Sequence, residues 1–295
     1  MPTRQSRRQA ARSCRSPSRR SSTLPDGART VPFAGWRNGA PVSGTRTVPE
    51  ETAVAFVYDG TTYAVMMATP ADLEDFAAGF CLTEGIVDSV GDIEDVAIVH
   101  QEIGIELRIR LSDRRARALA DRRRRAAGPV GCGLCGIESL EEAMRSLPGV
   151  ASKAAFEPSS VFAALGELER RQKLNAETRA VHGAAFWTAG GGIVAVREDI
   201  GRHNALDKLA GALARTDVVP SDGLLVLTSR LSVELVQKAA MIGAPVIIAV
   251  SAPTALAVQT AEAIGITLVG VARRDGFEVF THPKRIVRSP DHVAS

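Results

Sequence analysis

The chain has 295 residues, 36 Lys plus Arg against 33 Asp plus Glu, a formal net charge of +3 and 45% hydrophobic residues. That composition excludes collagen-like, coiled-coil and wholly disordered proteins. Four cysteines in a chain of this length exclude a disulfide scaffold.

Residues 1–45 carry nine Arg against one acid, Asp26, so the remainder is net acidic. The basic excess therefore belongs to a tail and is no nucleic-acid footprint. Leu24 is the only large aliphatic residue before Val31. Arg7-Arg8 and Arg19-Arg20 lack the apolar segment that an export signal needs, and no amphipathic face suits a transit peptide. The expectation is a disordered Arg/Ser-rich tail on a cytoplasmic protein. Ala239–Ala261 contains no charge, yet Pro245 and Pro253 would break a spanning helix twice. A buried strand, a loop and a helix are expected there, and no membrane contact.

Residues 46–125 read as a small α+β domain. Glu51–Val57 and Thr62–Met67 flank Tyr58-Asp59-Gly60, a hairpin signal. Thr69-Pro70-Ala71-Asp72 opens a helix with Leu73, Phe76, Ala77 and Phe80 at helical spacing. Val96–His100 and Ile103–Leu111 read as further strands. The Arg-rich stretch Arg114–Arg125 is taken as the connection between the domains.

Residues 126–149 read as a flexible loop and the start of a helix. Three glycines in Gly131-Cys132-Gly133-Leu134-Cys135-Gly136 leave the two thiols sterically open. Ser139-Leu140-Glu141-Glu142 fits a capping box, so Cys135 would lie just before a helix N-terminus, where a thiolate is favoured. Three uses compete. A zinc-stabilised binding module would need two more ligands, from His182, His203 or Cys81. A thiol–disulfide oxidoreductase would set the pair at the start of a helix after a strand. Carriage of sulfane sulfur needs an exposed thiolate on a mobile arm with a second thiol nearby, which this setting suits best.

Residues 150–289 alternate strand and helix: Gly192–Val196, Arg202–Ala214, Leu224–Thr228, Val233–Met241, Val246–Val250, Thr254–Ile264, Ile266–Val271 and Glu278–Thr281. That order predicts an α/β layered domain with parallel strands and right-handed crossovers. Ligands in such sheets sit at the carboxyl ends of the strands. Those ends carry Thr228-Ser229-Arg230, Ser251-Ala252-Pro253-Thr254 and Ala272-Arg273-Arg274-Asp275-Gly276. Helix starts and cations together favour an anionic ligand, most simply a phosphate. Ser229 or Thr254 alone would be an ordinary helix start. Their convergence on one edge carries the functional reading. His203 and Asn204 are further candidates for ligand contact, although a histidine early in a helix is as often a satisfied structural residue.

Several segments together resemble the formate dehydrogenase accessory sulfurtransferase family (FdhD). They are Cys132-Gly-Leu-Cys135-Gly, Arg197-Glu-Asp-Ile-Gly-Arg-His-Asn-Ala-Leu-Asp-Lys208, Thr228-Ser-Arg-Leu-Ser-Val-Glu-Leu-Val-Gln-Lys238 and Val250-Ser-Ala-Pro-Thr-Ala-Leu-Ala257. Val48-Pro-Glu-Glu-Thr and Met66-Met-Ala-Thr-Pro-Ala-Asp-Leu-Glu-Asp-Phe76 extend the match into the first domain. The resemblance implies sulfur transfer from a cysteine desulfurase to the molybdenum cofactor, bis(molybdopterin guanine dinucleotide), needed by the formate dehydrogenase catalytic subunit. It implies that Cys132 bears a persulfide with Cys135 as its partner, and that Val271–Gly276 contacts the cofactor. It further implies a three-layer α/β/α, cytidine-deaminase-like second domain. A second copy of the chain is a candidate partner, and no permanent metal is expected. The family's usual Thr-Gly-Gly-x-His here reads Thr178-Arg179-Ala180-Val181-His182, which puts any close ligand approach through those glycines in question.

Overall fold

The computed structural model describes residues 24–126 and 147–287. Strands β1 (Ala28–Arg37) and β2 (Ala40–Pro49) form an antiparallel ribbon. It turns at Asn38-Gly39, whose φ angles of 50° and 77° give the hairpin turn that matches strand twist. This corrects the expectation of disorder through residue 45. The Asn-Gly signal lies in the sequence, where the Arg-rich composition around it outweighed it.

Strands β3 (Thr52–Tyr58), β4 (Thr61–Ala68), β5 (Ile93–Gln101) and β6 (Gly104–Leu111) form a second sheet in the order β4-β3-β6-β5. Only β3 and β6 run parallel. Helix α1 (Leu73–Thr83) covers one face of this sheet. Phe76 and Phe80 meet Phe56 there with ring centroids 5.0 and 4.0 Å apart. The Arg-rich stretch is a helix, α2 (Asp113–Ala126), and not a linker. Arg, Ala and Leu are strong helix formers, and a charge run conceals that propensity.

The large domain adds α3 (Pro158–Arg171), α4 (Lys173–Thr178), β7 (His182–Thr188), β8 (Gly192–Asp199) and α5 (Arg202–Leu213). Then come β9 (Gly223–Leu227), α6 (Val233–Ile242), β10 (Val246–Ala249), α7 (Ala255–Ile264), β11 (Thr267–Gly270) and β12 (Glu278–Val279). The sheet order is β12-β11-β10-β9-β7-β8. β9, β10 and β11 are parallel as expected, whereas β7 and β12 are antiparallel to their neighbours, so the sheet is mixed. Every residue of β9, β10 and β11 is buried, because helices cover both faces. Leu206 and Leu209 of α5, Leu235 of α6 and Ala257 of α7 pack on Leu225, Leu227 and Ile247. Val161, Ala164 and Leu168 of α3 pack on Val226, Ile248 and Val269 from the other side.

Helix α1 lies between the domains and crosses α5 with backbones in contact. A Cβ on Gly79 would sit 2.7 Å from Gly211 N, and one on Gly211 2.7 Å from the Asp75 carbonyl carbon. Only glycine permits that approach. Among the described residues no helix is long and apolar enough to cross a membrane.

Candidate functional site

Backbone hydrogen bonds gather the three strand-end segments onto one edge of the large sheet. Thr254 N donates to Leu231 O at 2.9 Å, Val271 N to Ser251 O at 3.2 Å and Ala272 N to Ala249 O at 3.1 Å. Ser229, Arg230, Ser251, Thr254 and Val271–Gly276 are thus brought together. Several of their side chains already have local work. Thr254 Oγ1 caps α7 by accepting from Ala257 N at 3.3 Å, which is the ordinary helix-start role. Ser229 Oγ donates to Arg230 O at 3.1 Å. Arg273 donates to the carbonyls of Val250 and Ala272. Arg274 pairs with Glu169 of α3 at 2.7 Å, an exposed contact worth little to stability. Arg230 is exposed and forms no ion pair among the described residues.

Val271 has φ 51°. A β-branched residue in the left-handed region is strained, and such strain is held in place by its surroundings. Here the hydrogen bonds of Val271 N and Ala272 N to the β10 end hold it.

His203 stands on the same edge, beyond β8, because β8 runs in the direction of β9 with β7 between them. Burial pulls its pKa from 6.5 to about 4, with Arg202 and Lys238 adding to the effect. The ring is therefore neutral at pH 7, one nitrogen donating and the other accepting. Burial and Arg202 likewise depress the pKa of His182 at the start of β7. Arg202 Nε, His203 Nε2 and Glu234 Oε2 are buried without a hydrogen-bond partner among the described residues. A donor, an amphoteric ring and an acceptor in one place fit a polar ligand that both donates and accepts, because leaving such groups unpaired is costly.

The rest of the Arg197–Lys208 segment does different work, which sequence reasoning missed. Asp199 accepts from Thr69 N (3.0 Å), Gly201 N (2.7 Å), Asn204 Nδ2 (3.0 Å) and Lys208 Nζ (2.7 Å). Lys208 also donates to Thr69 O at 2.8 Å. Asn204 donates to Met67 O at 2.8 Å, so its amide joins the domains instead of meeting a ligand. Asp207 accepts from Thr83 Oγ1 at 2.6 Å and from Lys238 Nζ at 2.8 Å. Burial opposes the charge on Lys238, and Asp207 with Glu84 outweighs it, so its pKa is raised. Two buried ion pairs thereby tie α1 and its N-terminal turn to α5 and α6, and they hold the loop that presents Arg202 and His203.

Arg179, where the resemblance leads one to expect glycine, caps α4 with φ 57°. Glycine is favoured there for its backbone freedom, and this chain tolerates Arg at the cost of local strain. Cys132 and Cys135 lie outside the described residues, as does the helix start expected at Ser139. Cys81 is buried beside Tyr58, and burial pushes its thiol up to about 12, so it is inert at neutral pH.

A family model described as the FdhD/NarQ family matches residues 49–287. A sulfur carrier protein FdhD from Agrobacterium fabrum is 52% identical over 260 residues, covering 88% of this chain and 96% of its own. One from Cupriavidus necator is 49% identical over 257 residues, covering 87% and 89% respectively. A crystal structure of a candidate formate dehydrogenase accessory protein from Desulfotalea psychrophila superposes with a TM-score of 0.71 at 24% identity. It covers 88% of this chain and 100% of that one, a likeness of fold.

Proposed function

The chain belongs to the FdhD/NarQ family, and on that premise we propose that it is a sulfur carrier serving formate dehydrogenase. One observation carries this reading. The Gly-flanked Cys132-x-x-Cys135 pair sits in a chain about half identical, over most of its length, to relatives named sulfur carrier proteins. The donor is a cysteine desulfurase, and the client cofactor is bis(molybdopterin guanine dinucleotide), which is cargo on its way to the catalytic subunit. The setting is the cytoplasm. The large domain is read as cytidine-deaminase-like in layering, without deaminase chemistry, since no His-x-Glu stands beside a Pro-Cys-x-x-Cys.

In the proposed cycle the Cys132 thiolate attacks the outer sulfur of the donor persulfide. The desulfurase thiolate leaves and Cys132–S–SH forms. Cys135 then attacks the inner sulfur, which closes a Cys132–Cys135 disulfide and releases sulfide to the molybdenum. Two thiols are oxidised as one sulfane sulfur is reduced, and an external dithiol reopens the pair. The sheet edge holds the cargo: Arg230 and Arg273 supply charge for its phosphates, and Arg202, His203 and Glu234 supply directional hydrogen bonds.

Incubation with a desulfurase and cysteine is expected to add roughly 32 Da to the protein, the mass of one sulfur. Cys132→Ala abolishes that adduct, while Cys135→Ala retains it and blocks sulfide release. An adduct that persists in Cys132→Ala removes Cys132 from the carrier role.

A further inference from the structure

A recess of about 530 Å³ lies between the end of α3, the middle of β8 and the end of α5. Arg170, Arg171, Lys173 and Arg197 line it together with Val194 and Val196, and no carboxylate does. Many exposed Arg side chains elsewhere pair with an acid: Arg29 with Glu50, Arg108 with Glu106, Arg110 with Glu94 and Arg215 with Glu74. The acids nearest the recess are committed to other partners. Glu167 accepts from Ile193 N at 3.0 Å and from Trp187 Nε1 at 3.2 Å, and Glu169 pairs with Arg274 at 2.7 Å. Glu198 accepts from Leu174 N and Asn175 N, each at 2.8 Å.

Two of the cations are fixed by the main chain of β8. Arg171 donates to Ile193 O at 2.9 Å, and Arg197 donates to Val196 O at 2.7 Å. Arg197 also donates through Nε to Asp75 at 2.9 Å, which neutralises it. Arg171 keeps its charge and most of its five donors. Arg170 and Lys173 are exposed and form no ion pair among the described residues. Three cations without an acidic partner thus share one recess, and their mutual repulsion is a cost that an anion removes.

From this arrangement we infer that the recess binds a small molecule carrying a diphosphate. It is separate from the sheet edge assigned above to the cargo, because β8 and β11 stand four strand spacings apart, roughly 19 Å. Arg forks match phosphate oxygens, and a side chain already held in place loses little freedom on binding. A phosphate monoester carries about two negative charges near neutral pH and leaves one of the three cations unmatched, whereas a diphosphate matches the set. Val194 and Val196 are half-buried and offer apolar contact to the rest of the molecule. Ile193 N, Ile193 O and Val196 O are already hydrogen-bonded, so the recess offers its occupant cations and not a strand edge.

Isothermal titration calorimetry of the full chain with inorganic pyrophosphate tests this. The sheet edge is first disabled by Arg230→Ala/Arg273→Ala. In that chain a saturable site for about one pyrophosphate should remain, and adding Arg170→Ala/Lys173→Ala should weaken it by about tenfold. Both added substitutions are at exposed positions, and circular dichroism checks that the variant folds. Hexaglutamate, a flexible acidic peptide, should bind about tenfold more weakly than pyrophosphate. Loss of all binding in the edge variant, an affinity unchanged by the added pair, or hexaglutamate binding as tight as pyrophosphate would each overturn the proposal.

Discussion

Lys208→Met removes one charge from the more deeply buried of the two ion pairs. Methionine is close in length and volume, so the packing loss is small. Lys208 Nζ lies 2.7 Å from Asp199 Oδ2, and both side chains are fully buried. The cation also lies 5.4 Å from the Phe76 ring centroid. Its removal leaves the Asp199 carboxylate buried with only the neutral donors of Thr69, Gly201 and Asn204, and leaves the Thr69 carbonyl with Ala71 N as its remaining donor. Breaking a buried pair from one side costs about 3–5 kcal/mol, and the remaining donors place this case near 3. In urea, with a slope of about 3 kcal/mol/M for a domain of this size, the unfolding midpoint should fall by about 1 M. Adding Asp199→Asn should restore about 1 kcal/mol or more of coupling energy. A midpoint shift below about 0.3 M in Lys208→Met would refute the reasoning, because the pair would then be nearly neutral to the fold.

Three further outcomes rest on single residues. The folded pKa of His203, about 4, lies below its unfolded 6.5, so the unfolded state binds more protons between those values. Stability present above pH 6.5 should therefore be lost as the pH falls towards 4, by about 2 kcal/mol after allowance for partial exposure. His203→Gln should flatten melting temperature across that window, and an unchanged profile would remove the buried imidazole as its cause. Arg179→Gly relieves a left-handed φ of 57° and should raise stability by about 0.5–1 kcal/mol, read by calorimetry, with a loss counting against strain at that cap. Gly79→Ala would gain about 1 kcal/mol in an exposed helix. Here it should lose about 3, because its Cβ meets the α5 backbone. A thermal melt as stable as the parent would mean that the two helices separate freely.

Much of the fold was legible wherever hydrophobic period and turn chemistry agreed. Ile105, Leu107, Ile109 and Leu111 alternate and are buried along β6. Asp59-Gly60 turns the β3–β4 hairpin with φ 50° and 75°. The candidate edge was legible too, since Ser229, Ser251, Thr254 and Val271–Gly276 come after strand ends whose position the α/β alternation dictates. The lock between the domains was not. Asp207-Lys208 between Leu206 and Leu209, and Gln237-Lys238 between Val236 and Ala239, stand out as polar pairs flanked by apolar residues. Their meaning depends on Asp199, Thr69, Asp207 and Thr83, which only tertiary folding brings within reach. Asn204 is similar: read alone it offers an amide to ligand, and packing commits that amide to Met67 and Asp199.

The crossing of Gly79 and Gly211 sets the scale at which this chain is modular. Helix α1 fills the core of the small sheet through Phe76 and Phe80, and it meets α5 backbone to backbone. A cut in the sequence near residue 112 therefore does not separate two cores. It would expose the buried carboxylates of Asp199 and Asp207 on one piece and leave α1 half uncovered on the other. Exchange of a domain between relatives should succeed only when Thr69, Thr83 and α1 travel with Asp199, Asp207, Lys208 and Lys238, so the heritable unit is the joint, not the domain.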